Sequence, residues 1–155
     1  MRLIAMSGVM LLAMSAVTAE ASPLEGRQEI AELSSGFFNE LKAGRISEAM
    51  HSALKSSERV LGTQAIDNVA SGTTALLRST GNIKDWSIYN TNVIADGLIE
   101  ETYYVRCTIV PLFATLQFYK TDGGWHIIDV RLNTLLLARE AGYVPSGTVA
   151  PQEKP

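Results

Sequence analysis

The spacing of apolar residues changes its period once along the chain, near residue 84. Before that point apolar positions recur at steps of three and four, the repeat of a helix with one buried face. Ile30, Leu33, Phe37 and Leu41, alternating with Gln28, Glu32, Asn39 and Lys42, predict a helix over 25–43, closed by Gly44. Ala49, Met50 and Leu54 predict a short second helix over 47–55, with Ser47 as its N-cap. Ile66, Val69, Thr73, Leu76 and Leu77 predict a third over 63–79, ended by Gly81 and Asn82. Beyond residue 84 the period is two. Strands are expected over 86–95, 98–110, 114–120 and 125–133, with turn signals at Asp96-Gly97 and Asp122-Gly123-Gly124. Pro111 has no N–H to donate and breaks the ladder between the second and third. Helices in one run and strands in another describe an α+β domain. Its expected form is three N-terminal helices on a curved, four-stranded antiparallel meander.

Alternation assigns the two faces of that sheet. Val105, Cys107 and Ile109, then Ala114, Leu116 and Phe118, then Ile128, Val130 and Leu132 are expected to meet the helices. Tyr103 and His126 share this inward parity. The outward set is mixed: Tyr104, Arg106, Gln117, Tyr119, Asp129 and Arg131, with Trp125 and Ile127 interleaved. Asp129 is expected to pair across strands with Arg106 or Arg131. A one-residue bulge would invert such an assignment.

The first residues follow another rule. Arg2 precedes an apolar or small run from Leu3 to Val17, then Val17-Thr18-Ala19-Glu20-Ala21. That order is the pattern of a signal peptide over 1–19, cleaved after Ala19 or Ala21. The run is too short and too interrupted, at Ser7, Gly8 and Ser15, for a spanning helix of about 20 residues. The domain is expected over 25–134, a short C-terminal helix over 135–144, and a disordered tail over 145–155 rich in Pro, Gly, Ser and Thr. The reading is a periplasmic or secreted protein, soluble, with no membrane span in the mature chain. It is not lipidated, because Cys107, the single cysteine, lies far from the cut. Cys107 cannot form an internal disulfide and reads as a small buried hydrophobe; pairing between chains is the alternative in an exported protein.

Charge narrows the partners. The formal net charge is -3 and no basic stripe exists, which argues against nucleic acid and anionic membranes. No phosphate-binding glycine loop, paired-cysteine metal motif or nucleophile elbow is present. His51 and His126 lack the spaced ligands of a metal site. Neither metal nor cofactor is expected.

Several segments carry a resemblance. Phe37-Phe38-Asn39-Glu40-Leu41-Lys42-Ala43-Gly44 with Ala49, then Gly81 and Trp86, Tyr103-Tyr104-Val105, Phe118-Tyr119-Lys120, Gly123-Gly124-Trp125 and Arg131-Leu132-Asn133 resemble the nuclear transport factor 2-like superfamily, a cystatin-like cone. The resemblance covers about residues 27–134 and is closest to small exported bacterial members without an assigned activity. It implies a cone-shaped α+β fold, with enzymes (isomerases, dehydratases, cyclases) and non-enzymatic modules both represented; fold does not choose between them. It also implies that an enzyme would place an acid, histidine or tyrosine inside the cone, and that dimers through the sheet are common.

Two sets of residues follow. Tyr103 and His126 are the catalytic candidates, as hydrogen-bond donor and general base of a cofactor-independent isomerase or dehydratase acting on a small hydrophobic substrate. Tyr104, Arg106, Gln117, Tyr119 and Arg131 are the ligand or interface candidates, since aromatics and arginine are enriched in interfaces. The expected inward sets are mostly aliphatic and show no acid–base pair. The reading is therefore a non-enzymatic exported module for a small apolar ligand or a protein partner, with a homodimer through the sheet face or a structural role in an envelope complex as further expectations.

Overall fold

The structure, a computed structural model, describes residues 23–134. The expected leader, C-terminal helix and tail lie outside the described residues. The chain runs α1 (Pro23–Lys42), α2 (Ile46–Ala53), α3 (Glu58–Leu61), α4 (Thr63–Thr80), β1 (Ile83–Ala95), β2 (Leu98–Cys107), β3 (Leu112–Thr121) and β4 (Gly124–Thr134). The strands pair antiparallel in the order β1-β2-β3-β4, an α+β domain built on a meander.

The helices form where the apolar steps place them. Ile30, Phe37, Phe38 and Leu41 of α1, Ala49 and Met50 of α2, and Ile66 and Ala70 of α4 are buried in one core. Gly44 and Gly62 carry the positive φ, +78° and +79°, that turns the chain out of α1 and into α4. Two local details differ from expectation. Arg45, with no side-chain cap, stands at the N-cap of α2, two residues before the expected Ser47. A single helical turn, α3, fills the passage before α4; four residues are too few for a periodic signal.

The sheet holds the core's other half. Val105 on β2 and Ala114, Leu116 and Phe118 on β3 are fully buried under the helices. Strand β2 stops at Cys107 rather than continuing to residue 110. The next amides turn away from the ladder: Thr108 N–H is donated to the Asn82 carbonyl, and Ile109 and Val110 N–H to that of Thr80. Ile109, expected inward, is 69% exposed for this reason.

A bulge in β4 makes the largest correction. Gln117 pairs with Asp129, but the next residue, Phe118, pairs with Ile127, so Ile128 is an extra residue. Parity therefore inverts along the strand. Trp125 and Ile127, expected outward, are buried in the core with Val130. Ile128 is only half-buried, and His126, expected inward, stands opposite exposed Tyr119 on the outer face. The bulge carbonyls are held from the helical side: Ser56 Oγ donates to Ile127 O and Ser57 Oγ to Ile128 O, each at 3.3 Å.

The start of β4 is fixed by α1. Glu29 Oε1 accepts the Trp125 N–H at 3.0 Å. Gly124 has φ +109°, and a Cβ there would land on the Glu29 carboxylate. Gly124→Ala should therefore lower stability by about 2–3 kcal/mol, from backbone strain plus the displaced hydrogen bond. Gly44→Ala, whose Cβ would enter open space, should lower it by about 1 kcal/mol. Paired denaturant titrations measure the difference.

Candidate functional site

Every second residue of β2 points away from the helices, and the register places their partners beside them. Tyr104 is opposite Phe113 and Ser87, Thr102 opposite Thr115, Glu100 opposite Gln117, and Leu98 opposite Tyr119. On β4, Arg131 lies opposite Thr115 and Asp129 opposite Gln117. Tyr104, Arg106, Gln117, Tyr119 and Arg131 thus lie on one face of the sheet.

That face is ordered by two kinds of contact. At one end Tyr89 and Tyr104 meet the ring of Phe113 edge-on, with centroids 5.4 and 5.7 Å away. Phe113 is buried by them although it is on the outer side. At the other end Glu100 Oε2 accepts from Gln117 Nε2 at 2.7 Å and from Arg131 NH2 at 3.1 Å. Arg131 Nε also donates to Asp129 Oδ2 at 2.7 Å, so Asp129 finds its arginine two residues along its own strand. Arg106 instead pairs with Asp85 on β1, through both Nε and NH2. The guanidinium holds the Asp85 carboxyl below its ordinary range. Between the two ends the Thr102 and Thr115 hydroxyls meet at 3.4 Å, both buried. Tyr104 and Tyr119 are 38% and 48% exposed, so the face presents aromatic rings to solvent on a frame of fixed ion pairs.

The inner face carries the polar group that the sequence reading missed. Glu101 shares the parity of Tyr103 and Val105 and is buried, at 6% exposure. The Tyr103 hydroxyl donates to Glu101 Oε2 and lies 2.6 Å from Ser34 Oγ of α1. Ser34 Oγ donates its own proton to Ile30 O at 2.7 Å. Thr91 of β1 donates to the other carboxylate oxygen at 3.4 Å. Burial, and then the bond to Glu101, push the Tyr103 phenol well above its ordinary value. An acid at a position of inward parity was the signal available in the sequence.

Tyr103 and His126 do not come together. Tyr103 is opposite Ala114 on the inner face, whereas His126 is opposite Tyr119 on the outer face and bonds Thr121 Oγ1 through Nε2 at 3.0 Å. His51 bonds Asp67 Oδ1 of α4 at 2.9 Å and ties α2 to α4. Cys107 is half-buried, and burial raises its thiol pKa. Among the described residues no group of three His, Cys, Asp or Glu could hold a metal, and no helix is long and apolar enough to cross a membrane.

Two hollows open on the helical side. One, of about 760 Å³, runs between α1, α2 and the start of β4, and its lining includes Leu33, Phe37, Ala49, Ile127 and His126 together with the acids Glu29, Glu32 and Glu40. The other, of about 260 Å³, lies where α1 and α4 end beside Ile83. Glu101 and Tyr103 line neither.

The buried phenol makes a pH prediction. Unfolded tyrosine ionises near its ordinary value of 10.0, but folded Tyr103 resists ionisation. Its contribution is complete below that pH and is lost as pH rises through and beyond it. Tyr103→Phe should cost about 1–3 kcal/mol at neutral pH, by leaving Glu101 Oε2 without its donor. The same variant should lose less stability than the parent between about pH 9 and 11. Urea titrations across that range test both effects.

No family model matches the sequence, and no curated protein matches it. A solved structure from Campylobacter jejuni, a protein provisionally designated an NTF2-like transpeptidase, is similar at 17% identity and a TM-score of 0.49, over 63% of this chain and 94% of that one. The α+β architecture described here stands on its own element order, register and core, and it has the helix-then-meander order expected from the resemblance to the nuclear transport factor 2-like superfamily.

Proposed function

We propose that the protein is a non-enzymatic binding module that takes a protein partner on the outer face of its sheet. One observation carries the reading. The helices supply a core to the inner face, while the outer face sets exposed Tyr104 and Tyr119 on a frame of paired Arg106, Arg131, Gln117 and Glu100. Tyrosine and arginine are the residues that most often dominate interface energies, and fixing them beforehand lowers the entropy lost on docking. The leader pattern ahead of the domain supports action outside the cytoplasm, in the periplasm or after secretion. The partner is a second copy of the chain or another envelope protein.

Replacing Tyr104 and Tyr119 together by Ser tests the proposal. Both rings are more than a third exposed, so the fold should persist, as circular dichroism would report. Capture of a cross-linked partner from the native compartment should fall at least about tenfold, the loss of one interface anchor. Unchanged capture and unchanged oligomeric state would sink the reading.

The buried Glu101–Tyr103 pair favours a second reading, an isomerase- or dehydratase-type enzyme with these two groups in place of Tyr103 and His126. A carboxylate and a phenol in contact could exchange a proton with a small hydrophobic substrate only where the core opens to admit it, since neither group lines a hollow. Turnover by the parent protein, lost in Glu101→Gln with the fold intact, would support it. Activity that survives in Glu101→Gln removes this assignment.

A further inference from the structure

The larger hollow on the helical side follows one side of α1 from Glu29 to Glu40. Those eleven residue steps span about 16 Å at the rise of an α-helix. From α2 it takes Ala49, Ser52 and Ala53, all small. Its volume, about 760 Å³, is that of a site for a small molecule.

Gly36 helps to keep this space open. It lies inside a 20-residue helix, where glycine is less favourable than alanine. Neither usual reason for a helical glycine applies. Its φ is not positive, and a Cβ there would meet no atom within 4 Å, so no close neighbour requires it. Gly36 is part of the lining, so a side chain at this position would enter the hollow itself.

Burial sorts the lining by chemistry. Phe37, Ala49 and Ile127 are 1–4% exposed, whereas Glu29 and Glu40 are half-buried and Glu32 is exposed. The apolar members are therefore the deep ones. Three acids stand against one basic side chain, Lys55. Glu40 is already paired with Arg45. Glu29 and Glu32 are one helical turn apart, and among the described residues neither is in an ion pair. Glu29 Oε1 accepts the Trp125 amide, and Glu32 Oε1 accepts from the neutral Gln28 side chain at 3.0 Å. A cation entering here meets two carboxylates without counter-ions and one ammonium; an anion meets the reverse.

We infer that this hollow binds a small amphiphilic cation, with its apolar body against Phe37, Ala49 and Ile127 and an ammonium-type group at Glu29 and Glu32. Apolar burial supplies most of the affinity, and the carboxylates select the sign of the charge. The site uses none of Tyr104, Arg106, Gln117, Tyr119 and Arg131. It is therefore independent of the partner surface proposed for the outer face.

Calorimetric titration of the purified chain with three ten-carbon probes, below their micellar concentrations, tests this. Decylammonium should bind, decanol should bind about threefold more weakly, and decanoate at least about tenfold more weakly. Glu32→Gln, at an exposed position, should weaken decylammonium about threefold and leave decanol unchanged. Gly36→Leu should weaken every probe at least about tenfold. Circular dichroism should show its helices intact, because leucine favours a helix more than glycine does. If Gly36→Leu disturbs the fold, the ranking of the probes and Glu32→Gln still decide. Absence of decylammonium binding overturns the inference, as does equal binding of decylammonium and decanoate. Binding that persists in Gly36→Leu with the fold intact puts the probe elsewhere and also overturns it.

Discussion

The ring of Phe38 is the joint between the two halves of the molecule. It projects from α1, is fully buried, and touches one aromatic residue from each of three directions. Trp86 of β1 stacks on it at 5.1 Å, Tyr103 of β2 meets it edge-on at 5.0 Å, and Phe37 lies beside it at 5.2 Å. Such pairs contribute about 0.5–1.5 kcal/mol each beyond the area they bury. Their directionality matters more here than their sum. Stacking and edge contacts fix the rotation of α1 over β1 and β2, and the Tyr103 hydroxyl then reaches Ser34 one turn back along the same helix. The position of Glu101 follows from that, since its donor is held at both ring and hydroxyl.

Strand β2 serves two environments at once. Glu101, Tyr103 and Val105 belong to the packed side, whereas Glu100, Thr102, Tyr104 and Arg106 belong to the outer side. The two carboxylates Glu100 and Glu101 are neighbours in sequence and have opposite fates. One accepts from Gln117 and Arg131 near solvent; the other is buried on a phenol. Because the pleat separates them, the outer side can vary in side chain without disturbing the inner hydrogen bonds. A domain with that property can keep its fold while its outer surface changes.

The periodic parts of this fold were legible from the residues alone. The helical stripe of Ile30, Phe37 and Leu41, the Asp96-Gly97 turn and the buried set Ala114, Leu116 and Phe118 all follow from spacing and turn chemistry. What spacing could not reveal was the extra residue at Ile128. A bulge depends on how two strands pair, and here on Ser56 and Ser57 taking its carbonyls from more than 70 residues away in sequence. Trp125, Ile127 and His126 were assigned to the wrong sides for that single reason. Four residues of the outer face, Tyr104, Arg106, Gln117 and Tyr119, were visible by parity because β2 and β3 pair without a shift, and Arg131 because it lies on the far side of the β4 bulge. Glu101 has inward parity by the same rule, but its burial depends on the donors that meet it, which parity does not show. Its partner Ser34, on α1, could be found only from the packing of helix on sheet.

The corner at Gly81 has a wider consequence. There the end of α4 and the loop after β2 are laced together: Thr80 and Asn82 carbonyls take the amides of residues 108–110, and the Asn82 N–H returns to Thr108 Oγ1 at 3.0 Å. The link joins the point where the helical half gives way to the sheet with the point where the sheet changes direction. Neither corner can open alone without stranding the other's polar groups. Helices and strands, separate runs in the sequence, are bound by this corner into one cooperative unit rather than two layers that could peel apart.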